Sequence, residues 1–452
     1  MTTSLSGFPE LLPAQRFVEL AVLDRLRSIF EVHGFAPVET RAAEPLDSLL
    51  RKGEIDKEVY VLRRLHAEDG DAGLGLHFDL TVPFARYVLD NAGHLDFPFR
   101  RYQIQKVWRG ERPQTGRYRE FTQADIDVVG RDVLAPHHDV EIARVMAEAL
   151  GELDFLPPLR LQVNNRKLIE GFYRGVGASD IASVMRIIDK LDKEPAEAIA
   201  KQLVDDAGLS EQQAGQCLAL AEIRASDTSF VSRVWSLGVA HQLLDEGLDE
   251  LAAVIDGCAS ITAAGRGVTV EADLRIARGL DYYTGTVFET RMAGFESLGS
   301  ICSGGRYDSL ATDGKTTFPG VGISLGVTRL LMPLFQQGLL TANRAVPSVV
   351  LVAVPSEDDR ERCTAIAQTL RSRAVATEVA PAAQKYGKQI RYAERRGIPF
   401  VWFPGTGDDT DEVKDIRSGD QAPADPTTWT PPPADLRPQV VATITDSLKD
   451  MT

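Results

Sequence analysis

The chain has 452 residues, with 50 Lys and Arg against 65 Asp and Glu and a formal net charge of −15. At 44% hydrophobic and 25% charged it has the composition of a globular protein with room for roughly two to four domains. No apolar run reaches the roughly 20 residues of a membrane helix. The start, MTTSLSGFPELLPAQRF, lacks the basic-then-apolar pattern of a secretory signal. Cys217, Cys258, Cys302 and Cys363 stand at least 41 residues apart, which excludes a CxxC metal site and a dense disulfide framework and points to the reducing cytoplasm. The acidic balance excludes a generic, whole-surface nucleic-acid binder, although charge is a property of patches.

Residues 14–33 read as a helix, with Val22, Leu26 and Ile29 on one face, ended by Gly34 and followed by a short strand over 35–40. FDLTVPFARYVL (78–89) is strand-like and enters a helix. Residues 97–129 alternate apolar and polar on both sides of a Pro/Gly tip, which predicts an antiparallel hairpin with a long loop. A helix over 139–153 follows, with Asp139 as its N-cap. From 177 to 262 strand signals vanish and helical periods dominate. Strands return with GVTVEADL and TGTVFETRM, then the glycine-rich SGGRYDSL, then FPGVGISLGVTRLLMPL running into a helix. Residues 336–346 read as a linker. Beyond it, Val349–Val354, a helix opened by Ser356 and Asp359 in capping-box spacing, a strand near 375–380, a basic helix near 384–396 and a strand over 400–403 make a βαβαβ unit. The Pro-rich stretch 419–438 reads as an irregular loop.

Three motifs invite wrong assignments. Gly322-Ile-Ser-Leu-Gly326 matches the nucleophile elbow, but that fold places its His after the Ser, and the last His here is His241. Gly320-Val-Gly322 with Gly326 has the wrong spacing for a dinucleotide loop. His137-His138 stands without the Cys or His companions of a metal site and reads as a solvated helix start.

Two basic segments stand out from the acidic whole. Phe97 to Arg119 holds Arg100, Arg101, Lys106, Arg109, Arg112, Arg117 and Arg119 against Glu111 alone. Arginines held inside strand-like alternation suit triphosphates and nucleic-acid backbones. Lys385, Lys388, Arg391, Arg395 and Arg396 form a second cluster, which helical spacing alone could produce as a solvated face. Arg278-Gly-Leu-Asp-Tyr-Tyr283 combines a cation, a close backbone approach and two phenols, a mix suited to a polar pocket.

On these residues the chain resembles the histidyl-tRNA synthetase family of class II aminoacyl-tRNA synthetases. FDLTVPFARY (78–87) is similar to its amino-acid segment, KVWRGERPQTGRYREFTQADID (106–127) to motif 2, RGLDYYTGTVFE (278–289) to the box peculiar to the family, SGGRYD (303–308) to a pocket wall, GVGISLGVTRLL (320–331) to motif 3, and 14–40 with Pro37 to motif 1, the dimer element. The resemblance implies an α+β fold: a class II antiparallel sheet flanked by helices (1–176 and 263–335), a helical insertion (177–262) and a C-terminal α/β anticodon-binding domain (346–452).

It further implies that L-histidine and ATP give histidyl-adenylate and pyrophosphate, the histidyl group then passing to the 3′ end of tRNA-His. Arg109 and Arg278 match the catalytic arginines at the α-phosphate. Glu111 and Phe121 match the residues around adenine, Arg329 the arginine at the γ-phosphate. Asp79, Leu80, Thr81, Gln123, Asp127, Tyr282 and Tyr283 match the histidine pocket, with Asp127 and Tyr283 at the imidazole. Gln114 and Arg117 fall at the loop tip that meets the tRNA acceptor end. By the same resemblance Mg²⁺ bridges the outer phosphates, no protein metal site is implied, and the enzyme is a homodimer. The sequence departs from the family where Thr328 precedes Arg329 in place of the usual Glu, and where the acids are the shorter Asp79 and Asp127. The alternative is a non-catalytic paralogue serving as regulatory subunit of ATP phosphoribosyltransferase. Such paralogues usually lack the anticodon domain and the motif arginines.

Overall fold

A computed structural model describes residues 5–50, 58–66, 73–276, 283–405 and 409–443. Arg278 and Tyr282 lie outside the described residues. The chain divides into two compact units, one built on Val22–Pro333, the other on Glu10–Ala21 with Leu334–Thr443.

The first unit is organised by one nine-stranded sheet. Its strands are β1 (Ala36–Pro37), β2 (Phe99–Trp108), β3 (Glu120–Val129), β4 (Leu159–Asn165), β5 (Arg224–Ala225), β6 (Val268–Asp273), β7 (Thr286–Met292), β8 (Cys302–Thr312) and β9 (Thr317–Gly326). Their spatial order is β1-β2-β3-β9-β8-β7-β4-β6-β5, and the run from β2 to β4 is antiparallel. The hairpin expected over 97–129 is β2 and β3, in register from Phe99 opposite Val129 to Trp108 opposite Glu120.

Helix α1 (Pro13–Val32) ends as expected. Gly34 takes a left-handed φ of 79°, and Phe35 N–H reaches back to Phe30 O at 3.0 Å. The strand after it is shorter than expected and lies parallel to β2, Ala36 beside Arg101. Helix α2 (Thr81–Asn91) follows a small three-stranded sheet made of Ala43–Pro45, Val61–Leu62 and Leu74–Leu76.

Helix α3 (His137–Gly151) corrects one expectation. Asp139 is not its N-cap. It is buried inside the first turn, where the Arg306 guanidinium donates to it from Nη2 at 2.7 Å and Thr286 Oγ1 from 2.6 Å. Arg306 also donates to Leu134 O and Ala135 O, so the start of α3 is tied to β8 by an ion pair in place of a cap. His138 is likewise buried, not solvated. It shares a 2.7 Å hydrogen bond with Glu141, and burial lowers its proton affinity.

Helix α4 (Arg166–Val176), capped by the Asn165 side chain, leads into the helices Ile181–Ile188, Ala196–Asp205, Glu211–Ala221 and Ser229–Trp235. The long helix α5 (Gln242–Ala263) then packs back on α3, α4 and β6. The stretch is not free of strand: β5 interrupts it and forms the last strand of the sheet. Among the described residues no helix is long and apolar enough to cross a membrane.

The second unit has its own sheet, spatially ordered Thr377–Val379, Val350–Val352, Phe400–Phe403, Glu412–Asp415 and Gln421–Pro423. The first three strands are parallel and the last two antiparallel. Cys363, Ile366, Ala367 and Leu370 are buried in its core, the stripe expected of helix Arg360–Ser372. The capping box is not formed, because Ser356 accepts from Asp358 N–H and caps a short 3₁₀ turn ahead of the helix. The expected linker holds a strand, Leu340–Ala342, paired with Val440–Ala442. The Pro-rich stretch is partly ordered by Trp429, whose ring meets Trp402 edge-on at 5.6 Å.

Candidate active site

Alternation on β3 separates two faces. Ile126, Ala124 and Val128 are buried towards the helical layer, while Phe121, Gln123, Asp125 and Asp127 point the other way. Register carries this second face across the sheet. One row is Arg101, Asp127, Gly322 and Gly305; the next is Gln103, Asp125, Ser324, Ser303 and Glu289. A polar row and a glycine row on an otherwise apolar sheet mark where the chain expects something other than side chains. Helix α2 covers one end of this face through Phe84 and Val88, which pack with Val129 and Phe318. The other end is open and forms a cavity lined by Arg109, Glu111, Arg117, Phe121, Gln123 and Arg329.

The open end is cationic. Arg109 donates from Nε to Phe78 O at 3.0 Å, and its guanidinium lies 5.2 Å from the Phe121 ring centre. Arg117 donates to Glu111 at 3.2 Å, and Glu111 also lies 3.8 Å from Arg109. A turn from Gln114 to Arg117 closes the loop tip, with Arg117 N–H bonded to Gln114 O at 2.8 Å. Arg329, on the helix Val327–Gln336, donates to Leu298 O, while its Nε is buried with no acceptor among the described residues. Burial, then the neighbouring Arg117 and Arg109 guanidiniums, pull Arg329 below the ordinary guanidinium value, only partly offset by Glu111 and Glu289. Three guanidiniums against so little negative charge make a cavity suited to a polyanion.

The covered end is built for smaller polar groups. Gln123 donates to Ser324 Oγ at 2.8 Å, leaving its buried Oε1 without a donor among the described residues. Asp127 is 2.7 Å from Arg101 Nη2 and accepts from Tyr307 Oη at 2.8 Å. Asp125 lies deeper. Burial pushes its carboxyl up to about 7, Arg101 opposing and Asp127 reinforcing the shift. The Tyr283 ring lies on Gly305, where a Cβ would sit 2.7 Å from the ring; at Gly322 a Cβ would sit 2.1 Å from Asp127 Oδ1. Both positions therefore require glycine for close approach. Asp79 accepts from Val82 N–H at 3.0 Å at the start of α2, and Thr81 is that helix's first residue. The Leu80 side chain is fully buried, so only its backbone is available to a ligand.

Of the residues singled out from sequence, Arg109, Glu111, Arg117, Phe121, Gln123 and Arg329 meet in one cavity. The basic cluster at 97–119 does not act as a unit. Arg100 pairs with Glu141, Lys106 with Glu120, and Arg101 is buried beneath α2. The SGGRYD segment divides too: Gly305 faces the site, while Arg306 faces the helices. Ser324, the elbow decoy, is a strand residue whose hydroxyl holds Gln123. Sequence reading passed over Arg101, Asp125 and Tyr307 as site residues. Their two-residue spacing from Gln103, Asp127 and Gly305 was the signal that could have found them.

Comparison with known proteins establishes the family. The family model described as histidyl-tRNA synthetase matches residues 7–330, and one described as anticodon binding domain matches 348–422. The chain belongs to the histidyl-tRNA synthetase family. It is similar to a histidine–tRNA ligase of Cutibacterium acnes, 60% identical over 97% of this chain and 98% of the relative. It is also similar to the crystal structure of histidyl-tRNA synthetase from a Nostoc species, at 33% identity and TM-score 0.83, covering 94% of this chain and 97% of that one. A Bacillus halodurans structure titled as an ATP phosphoribosyltransferase regulatory subunit/histidyl-tRNA synthetase is 18% identical, covering 90% and 99% of the two chains with TM-score 0.72. That likeness shows the shared fold alone and lends no weight to the regulatory alternative. The aminoacyl-tRNA synthetase family uses ATP as a substrate, which suits a cationic cavity.

Proposed function

We propose that this chain is a histidine–tRNA ligase that activates L-histidine with ATP and transfers it to the 3′ end of tRNA-His. The observation that carries the reading is the joining of a triple-guanidinium cavity to an acidic, glycine-floored pocket on one face of a family-matched sheet. Activation is attack of the histidine carboxylate on the α-phosphate, so it needs charge neutralisation at phosphorus more than a proton acceptor. Arg109 and Arg278 take the α-phosphate, and Arg329 the γ-phosphate. Glu111 and Phe121 frame adenine, Phe121 offering a ring face. Gln123, Asp79, Thr81 and the Leu80 backbone meet the ammonium and carboxylate ends. Asp127 and Tyr283 meet the imidazole, and Tyr282 is assigned to the same pocket by its place in the family's box. A pocket that hydrogen-bonds a ring rejects analogues lacking the group.

Bound with the nucleotide, Mg²⁺ would supply neutralising charge at the outer phosphates, with Glu111 and Glu289 beside Arg329 as the carboxylates that would hold it. The chemistry fits, since this ion keeps most of its waters and needs only one or two carboxylates beside phosphate oxygens. Gln114 and Arg117 at the loop tip meet the tRNA acceptor end. Residues 1–176 and 263–335 form the catalytic domain, 177–262 a helical insertion and 346–452 the anticodon-binding domain. The protein works in the cytoplasm as a homodimer through α1 and the strand at Pro37.

Purified protein with Mg²⁺ and L-histidine is expected to exchange labelled pyrophosphate into ATP, dependent on histidine. Absence of exchange would return the reading to the regulatory paralogue.

A further inference from the structure

Arg101 is a fully buried cation that the reaction outlined above does not use. Its guanidinium carbon lies over the Phe84 ring, 4.2 Å from the ring centre, so that α2 meets it from one side and the sheet from the other. The Asp127 carboxylate forms an ion pair with it at 2.7 Å from Nη2, while none of Nε, Nη1 and Nη2 has a well-aligned hydrogen-bond acceptor among the described residues. Register places Arg101 directly opposite Asp127 on the neighbouring strand, so the contact is set by backbone pairing and not by a wandering side chain. Tyr307 Oη donates to the other oxygen of Asp127 at 2.8 Å. A buried charge is retained only where it is paired, and an arginine without a task at this depth costs stability.

We propose that Arg101 is a positioning residue that holds Asp127 ionised beside a compensating charge, so that the pocket selects the neutral imidazole of histidine over the imidazolium. The proposal rests on Asp127 meeting the ring. A lone buried carboxylate would attract a cation and favour imidazolium. Paired with Arg101 it remains a hydrogen-bond acceptor with little net field, and a neutral ring N–H is its best partner. Among the described residues, the charged and titratable groups around Asp127 include Arg101 from β2, Asp125 on its own strand and Tyr307 from β8, with Tyr283 on the neighbouring Gly305 and Asp79, at the start of α2, acting on Asp125. Asp125, pushed up to about 7 by burial, is mostly protonated below that value, so at the acid end of the range it adds little attraction for a cation.

The test is the pH profile of KM between pH 5.5 and 8.5 in histidine-dependent pyrophosphate exchange. It is run with histidine and with an analogue carrying a triazole, whose ring stays neutral over this range. Their ratio cancels any titration of the protein that acts on both ligands alike. In the wild type the ratio of histidine to triazole KM is expected to rise about tenfold in all from pH 7.5 to 5.5, for a ring pKa near 6.5. A flat ratio means that imidazolium binds equally well and overturns the proposal without any variant. In Arg101→Met the acid rise is expected to disappear or reverse, with the KM for ATP within about twofold of wild type. Arg101→Lys, which keeps the charge, is expected to retain the rise. A higher KM with an unchanged profile in Arg101→Met would make Arg101 merely structural and overturn the proposal. Asp127→Asn separates the two layers: if it leaves the histidine KM unchanged, the ring assignment itself fails.

Discussion

Asp125 shows how a single residue links site and stability. Its side chain is buried between Gln103 and Ser324, and its Oδ1 has no donor among the described residues. Burial is the main cause that raises its carboxyl from an ordinary 3.8 to about 7. The folded state therefore holds this proton more tightly than the unfolded state does. The stability it contributes is complete below about pH 4 and is lost as pH rises through 7. Asn mimics the protonated form. Asp125→Asn is expected to melt higher than wild type at pH 8, with the gap clearly narrower at pH 5 and closing only below about pH 4. A constant gap across this range, read by thermal melts in both buffers, would place the strain elsewhere. The acid itself is visible in the sequence as part of the QADID alternation; its shifted proton affinity is not, because burial between β2 and β9 depends on contacts distant along the chain.

At the scale of elements, β3 was legible because its period-2 pattern is strong and its two faces differ in chemistry. Local capping rules failed where tertiary contacts competed with them. Asp139 follows a helix-start pattern, yet β7 and β8 present Thr286 and Arg306 to it, and a buried guanidinium outbids backbone N–H groups for the carboxylate. The linker expected at 336–346 failed for a similar reason: its strand partner, Val440–Ala442, lies about a hundred residues away and no local signal announces it. The Asp139 anchor has a measurable cost. Asp139→Ala strands the Arg306 charge in a dry site, and losing one partner of such a pair costs about 3–5 kcal/mol. A melting temperature lowered by several degrees is the expected outcome. Adding Arg306→Met should recover part of the loss, because the stranded charge goes with it. If the double variant melts no higher than Asp139→Ala alone, the ion pair is not what fixes α3 to the sheet.

Across the whole molecule, the net charge of −15 conceals where phosphate can be met. Three of the seven cations of the first basic segment, Arg100, Arg101 and Lys106, are spent on carboxylates within the fold's own structure. In the second cluster Arg396 is tied to Glu378 at 2.9 Å, while Lys385, Lys388, Arg391 and Arg395 on and beside the helix Tyr386–Arg396 remain exposed. Counting charges in the sequence could not tell spent cations from available ones; the pairing partners decide it. Four available cations make a quantitative prediction for the RNA-binding step. Each phosphate neutralised contributes a slope of about 0.7–0.9 in log affinity against log salt. Four contacts then weaken tRNA binding by roughly 50- to 150-fold between 50 and 200 mM KCl. Amino-acid activation involves no polyanionic chain, so pyrophosphate exchange should change by less than about twofold over the same range. The KM for tRNA in charging assays is the quantity to follow. Lys388→Glu with Arg391→Glu should roughly halve its salt slope while leaving exchange untouched. A slope unchanged by the double variant would mean that tRNA is held elsewhere on the molecule.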